Sequence, residues 1–409
     1  MAYEPTTNFK DSNNVDLGKK LVTKDYLLTV YPSILDSLGN SGLTVTPALW
    51  TWGINGYGQL GVNNTTTKST PVTTILGGTN WKSVDCGYNH TGAIKTDGTL
   101  WLWGGNTSGE LGNNGVGQRI SIPITTLLGG TNWKEVGCST FHTAAIKTDG
   151  TLWLWGNNSY GTLGNNLGGS LIVTPITTIL GGTNWKSVDC GTRATYAIKT
   201  DGTLWLWGIN GSGQLGVNDR VSRSTPVTTI LGGNYWKSVA GSGLGSVLAI
   251  KTDGTLWCWG AGNFGQLGVN DTAFKSTPVT TILGGNNWKS VSSGREHTVS
   301  IKLDGTLWCW GRNNFGQLGV NDTTTRSTPV TTILGGTNWK SIFCGGYHTL
   351  AIKTDGTLWC WGRNNLGQLG FNDIITRSTP VTTILGGTNW KSADGGQNYT
   401  VAIQSVDYI

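Results

Sequence analysis

The motif Trp-x-Trp-Gly occurs seven times in this 409-residue chain, starting at Trp50, Trp101, Trp153, Trp205, Trp257, Trp308 and Trp359. The interval is always 51 or 52 residues. A period of that size dictates the architecture, because a unit so short cannot bury its apolar face alone and must stack on copies of itself. A second landmark, Trp-Lys, keeps the same period at Trp81, Trp133, Trp185, Trp236, Trp288, Trp339 and Trp390. Together the two account for all 21 Trp of the chain. Trp that recurs in strict register serves packing within and between repeats, not one aromatic ligand site.

Each repeat reads as four strands. In one copy Trp133–Val136 is a short strand and His142–Lys147 a second. Asp149-Gly150 reads as a two-residue hairpin turn with both residues at positive φ, and Thr151–Trp155 returns antiparallel. A Gly/Asn loop over 156–166 leads to a fourth strand within Ile172–Leu180. Four antiparallel strands at this period make a propeller blade. The chain is therefore predicted to be all-β, with a seven-bladed propeller over residues 47–409.

The Asp-Gly turn appears only six times, at Asp97, Asp149, Asp201, Asp253, Asp304 and Asp355. Leu49–Trp52 has none before it, and Tyr399–Ile403 has none after it. Each orphan strand lacks what the other supplies. They are predicted to pair, which closes the ring and leaves no free sheet edge.

Residues 1–46 stand outside the repeat and read as a short, partly helical attachment segment. Thr23 is a candidate cap; Leu27, Val30 and Tyr31 would share one face, and Pro32 would end the helix. Ile34 and Leu35 extend the apolar surface. Such a segment is too short to fold alone and needs the propeller or a partner to cover it.

Charged residues are 12% of the chain and Gly numbers 64, which suits a β protein with many tight turns and argues against disorder. The net charge of +6 is spread without a basic run, so no nucleic-acid partner is expected. The seven Cys fall at two repeat positions and are expected to be free thiols. The first 23 residues lack the apolar stretch of a secretory signal, and no run approaches transmembrane length. Synthesis in a cytoplasm without membrane insertion is the expectation.

Catalytic patterns are not found. His90, His142, His297 and His348 share one repeat position, so a ring would keep them apart. Asn-Asp pairs at Asn218, Asn270, Asn321 and Asn372 read as local turns, since a calcium loop needs more oxygen ligands close together. Neither a nucleophile elbow, a zinc-protease motif nor a phosphate loop occurs. No enzyme activity and no cofactor or metal is predicted.

Positions where the repeats differ are more informative. Between a fixed Gly and the His position lie Tyr88 and Asn89, Phe141, Arg193, Leu244, Arg295 and Glu296, Tyr347, and Gln397 with Asn398. They are predicted to cluster as loops on one face, where they either drift freely as exposed loops do or form a binding surface. The second and third repeats also carry Ile120, Ile122, Ile172 and Val173 where the others are Thr-rich and basic. These residues either form a docking sector or turn into their own blades.

The motifs Asp-Gly-Thr-Leu-Trp, Trp310–Gly319, Cys86–Thr91 and Cys344–Thr349 resemble the regulator-of-chromosome-condensation repeat family over about Pro47–Ile403. The resemblance implies the propeller fold. The family's founding member exchanges nucleotide on a small GTPase and docks on chromatin, but the matching motifs are structural and carry over no exchange residues. The segment Asn14–Tyr31 resembles the N-terminal segment of structural proteins from tailed phages, particularly those of cyanobacteria. That second resemblance implies a virion protein of the tail or baseplate. Its N-terminal segment would bind other virion proteins, and its propeller would face a host surface receptor or glycan. An interaction propeller acting on a GTPase or chromatin, and a carbohydrate-binding propeller, are the alternative readings.

Overall fold

In a computed structural model the described residues are 44–78 and 80–408. They form seven four-stranded antiparallel sheets arranged as the blades of a propeller. Blades 1 to 6 each use four consecutive strands, the first being Trp81–Cys86, His90–Lys95, Leu100–Asn106 and Gln118–Thr125. Among the described residues there is no helix. The candidate attachment residues Leu27, Val30, Tyr31, Ile34 and Leu35 lie outside them.

Blade 7 combines both ends of the chain. Its order runs Lys68–Thr73, Thr44–Gly53, Tyr399–Tyr408, Trp390–Gly395. Leu49 faces Ile403 and Trp52 faces Thr400, the pairing predicted from the missing Asp-Gly turn. The two strands continue past the place where other blades turn, to Thr44 opposite Tyr408, so this ribbon is longer than any hairpin in the ring.

The Asp-Gly turn differs from expectation. Asp97 keeps a negative φ, and only Gly98 is left-handed at +81°. The Lys95 amide donates to the Thr99 carbonyl, so three residues lie in the loop. The Asp97 carboxylate accepts from the Thr99 amide at 2.9 Å and hydroxyl at 2.7 Å, which holds Asp97 at negative φ. Gly alone fits after it: a Cβ on Gly98 would lie 2.0 Å from the Thr131 carbonyl oxygen.

The three Trp of a repeat have three separate tasks. The second Trp of Trp-x-Trp is fully buried and donates its indole N–H to a backbone carbonyl of the preceding blade. Trp207 reaches Thr162 at 2.7 Å and Trp103 reaches Gln59 at 2.8 Å. Around the closure, Trp52 reaches Gln368 at 2.8 Å. The Trp of Trp-Lys packs edge-on against it, with ring centres 6.2 Å apart for Trp185 and Trp207. In blades 1 to 6 the first Trp is only partly buried and bonds within its own blade, as Trp205 does to Thr203 at 3.0 Å. Lys199 lies over Trp185 and Trp205, 4.8 and 5.2 Å from their centres. Offset aromatic pairs and stacked cations of this kind add to area burial.

The four His also join blades. His90, His142, His297 and His348 are buried, and each places Nε2 2.9 Å from a Thr hydroxyl of the next blade. Burial holds each imidazole down at about 3, neutral under ordinary conditions. All seven Cys are free. Asn218, Asn270, Asn321 and Asn372 are left-handed, and the Asp after each accepts from the amide two residues on. In these four repeats the Asp also pairs with the cation four residues later, as Asp322 does with Arg326 at 2.6 Å.

Candidate interaction face at the channel mouth

The first strand of every blade lines the axial channel, and each runs toward the same face. At that end the connection to the second strand carries the variable residues. Their loops surround a cavity of about 510 Å³, whose lining includes Tyr88, Phe141, Leu244, Arg295 and Gln397. The repeat period thus converts residues about fifty positions apart into immediate neighbours around one opening.

The remaining candidates take different places. Arg193 lies behind Phe141, its guanidinium 5.0 Å from that ring and 5.2 Å from Tyr160. Tyr347 packs edge-on against Phe315 with centres 5.4 Å apart, and Arg363 lies over both rings. Glu296 is buried and bound by Arg312 at 2.5 Å, with Arg295 at 3.8 Å. It therefore positions cations and is not itself displayed. The Asn89 and Asn398 carbonyls bind the amides of Gly105 and Ile54, which makes these residues part of the loop frame.

Sequence reasoning missed half of this face. The residue before Gly-Gln-Leu-Gly or its equivalent is aromatic at Tyr57, Tyr160, Phe264 and Phe315. Those rings stand beside the predicted loops and receive Arg119, Arg193, Arg312 and Arg363. The signal was present as a second variable position in the repeat, but its loop is distant in sequence from the first. The result is a mouth framed by Arg–aromatic stacks, a composition typical of protein-binding anchors.

Deeper in the wall, three carboxyls bridge neighbouring blades. Asp394 accepts from the Cys86 amide at 2.6 Å, Asp85 from Cys138 at 2.5 Å, and Asp189 from Gly241 at 2.6 Å. Burial, more than the nearby Asp189, pushes Asp394 up to about 7 despite its amide donors. Burial first, then the charges of Asp394 and Asp189, pushes Asp85 well up. Burial likewise takes Glu135 to about 7. Among the described residues no three His, Cys, Asp or Glu come together as a metal site.

The docking-sector candidates separate. Ile120 and Ile172 are half-buried and pack against the apolar clusters beside Trp155 and Trp207. Val173 is also half-buried, and its backbone carbonyl accepts from Asn114 of the preceding blade. Ile122 stays exposed. Ile120 and Ile172 face the Gly of Trp-x-Trp-Gly in the register that Arg223 and Lys275 hold in other blades, and the four residues do not gather into one patch.

Comparison with known proteins accords with this geometry. Residues 40–279 match the RCC1-like domain, and residues 304–352 and 355–403 match the regulator of chromosome condensation (RCC1) repeat. The chain belongs to the RCC1 repeat family. It is 30% identical to the ultraviolet-B receptor UVR8 of Arabidopsis thaliana over 334 residues, covering 80% of this chain and 76% of that protein. It is 26% identical to human E3 ubiquitin-protein ligase HERC2 over 90% of this chain, but spans only 8% of that protein. Against the X-linked retinitis pigmentosa GTPase regulator homolog of Caenorhabditis elegans the identity is 25%, over 71% of this chain and 24% of that protein. Among solved structures, yeast Prp20 bound to Kap60 superposes with a TM-score of 0.77 at 19% identity, covering 91% of this chain and 92% of that one. Human WBSCR16 gives 0.76 at 22% identity over 88% and 99%.

These relatives correct the expected virion location. The RCC1-type match runs through the whole propeller and joins the chain to proteins of a plant, a human and a nematode, which are cellular. The virion expectation rested on the low charge and Thr/Asn/Gly-rich composition of the β domain and on a short likeness within residues 14–31, which lie outside the described residues.

Proposed function

We propose that the chain is a non-enzymatic protein-interaction propeller whose loop-face mouth holds a protein partner. One observation carries this reading: positions that differ from repeat to repeat are brought together at one mouth, on a scaffold that otherwise repeats. Tyr88, Phe141, Leu244 and Arg295 ring the opening, and Arg193, Arg312 and Arg363 are pre-set on aromatic faces. Rigid aromatic and Arg side chains lose little entropy on binding and make effective anchors. A small GTPase is the first partner class to test, since one relative is named a GTPase regulator homolog. Core histones are the second, since a structure report on Prp20p of similar fold names its binding to Gsp1p and histones.

The test is binding of the full chain to a panel of small GTPases and core histones, with release of fluorescent nucleotide followed for the GTPases. Arg295→Ala and Tyr347→Ala should each weaken the complex by about tenfold while leaving the fold intact. A complex indifferent to both substitutions, or no complex with either class, would count against the proposal.

A further inference from the structure

The opposite mouth of the channel has a different chemistry. The first strand of every blade begins there with Trp-Lys, next to the Asp-Gly hairpins: the Trp133 amide donates to the Gly98 carbonyl at 2.9 Å. In all seven blades the ladder slips at this point. Trp81 faces Lys95 and Ser83 faces Ile94, which leaves Lys82 as the extra residue of a β-bulge. The same slip occurs at the Lys of the other six blades. A bulge re-aims the side chain it carries. Here every Lys is exposed. Lys134 reaches the Lys186 carbonyl of the next blade at 3.1 Å and Lys289 that of Lys340 at 3.4 Å, so the ammonium groups run around the rim.

None of the ion pairs among the described residues involves these lysines. Glu135, the carboxyl beside Lys134, binds the Val188 amide and is itself pushed up to about 7. The hairpin carboxylates lie farther out and are held low first by the amide and hydroxyl of the Thr two residues on, as Thr99 holds Asp97, and then by Lys95 and its counterparts in five other blades. The Lys is also invariant across seven repeats. The position three residues later, beside the channel, drifts among Asp85, Gly137, Ala240, Ser292 and Phe343. Packing cannot explain an invariant residue that is exposed.

We propose that this lysine ring is a binding site for a slender acidic segment of a partner protein. Seven like charges around one opening focus an attractive field on an anion placed at the axis. The outer annulus of hairpin aspartates sets the shape: a broad anionic surface would meet those carboxylates, while a narrow chain meets only the lysines. Single-stranded nucleic acid would need free aromatic faces for stacking. The Trp faces at this end are already covered by lysines such as Lys95 and Lys147. Residues 1–43 of the chain itself contain five carboxylates and four lysines, too balanced to be the anion.

The full-length protein should bind a fluorescent poly-glutamate peptide of about ten residues, with an affinity that falls as salt rises. Replacing Lys134, Lys186, Lys289 and Lys340 together by Gln should weaken binding at least about tenfold, and replacing them by Arg should preserve it. Removing four cations from the outermost strands, Lys68, Lys275, Arg326 and Arg377, should cost less than about twofold. Arg295→Ala on the other face should have no effect, so failure here is distinguishable from failure of the loop-face reading. Absence of peptide binding, equal losses in the two Gln variants, or tighter binding of an oligonucleotide of equal charge or of anionic vesicles would each overturn the proposal.

Discussion

Trp205 and Trp207 are two residues apart in one strand, yet the structure assigns them unequal weight. Trp207 is wholly buried between blades, donates to Thr162 at 2.7 Å and packs on Trp185 at 6.2 Å. Its replacement by Ala removes an indole from a site that neighbouring sheets cannot collapse to fill, a loss of about 3–5 kcal/mol. The Thr162 carbonyl keeps its bond from the Thr195 hydroxyl at 2.9 Å, so no acceptor is orphaned. Trp205 is partly exposed and bonds only within its blade, so Trp205→Ala should cost about half as much. Urea unfolding of both variants beside the parent measures the difference. Equal losses, or a larger loss at Trp205, would refute the division of labour between the two Trp.

Deleting residues 398–409 should remove the shared strand of blade 7, expose two sheet edges and cause aggregation on light scattering; a truncated chain that stays monomeric with the parent's melting temperature would contradict the closure. Asp394→Asn should stabilise the protein at pH 8 and not at pH 4. The folded carboxyl is held up at about 7 against 3.8 in the unfolded chain, so over that window the native state keeps a proton that the unfolded chain has given up, and stability falls as pH rises through it. Asn removes the penalty and can still accept from the Cys86 amide, giving a gain of at most about 4 kcal/mol at pH 8. Denaturant titrations at the two pH values decide it, and a variant no more stable at pH 8 than its parent would count against the buried-carboxyl account. His297→Gln should lessen the acid sensitivity of the fold, because a His held near 3 loses stability as pH falls below 6.5.

Much of this fold was legible because the repeat states each local rule many times. The period gave the blades, and the single missing Asp-Gly turn gave the two strands that close the ring. What stayed hidden was whatever depends on how one repeat lies against the next. The Asp97 turn looked like a two-residue hairpin, because the Thr99 bonds that hold Asp at negative φ are not visible in the dipeptide. The Lys of Trp-Lys looked like diffuse background charge, because a linear chain spaces them about fifty residues apart while the ring brings them to one rim. Arg193 and Tyr160 sit in loops of neighbouring blades, and only the packing of one blade on the next stacks them. For Ile120 and Ile172 the sequence left docking and burial both open, and it is the packing of neighbouring blades that sets them against the interblade clusters.

The central claim is that the loop-face mouth holds a protein partner. Hydrogen exchange of the full chain, free and with the tightest-binding GTPase or histone of the panel, tests it most directly. The account predicts slowed exchange in the loops around Tyr88, Phe141, Arg193, Leu244, Arg295 and Tyr347, with the Asp-Gly hairpins unchanged. Protection confined to the hairpin face or the outer strands, with those loops exchanging as in the free protein, would contradict it.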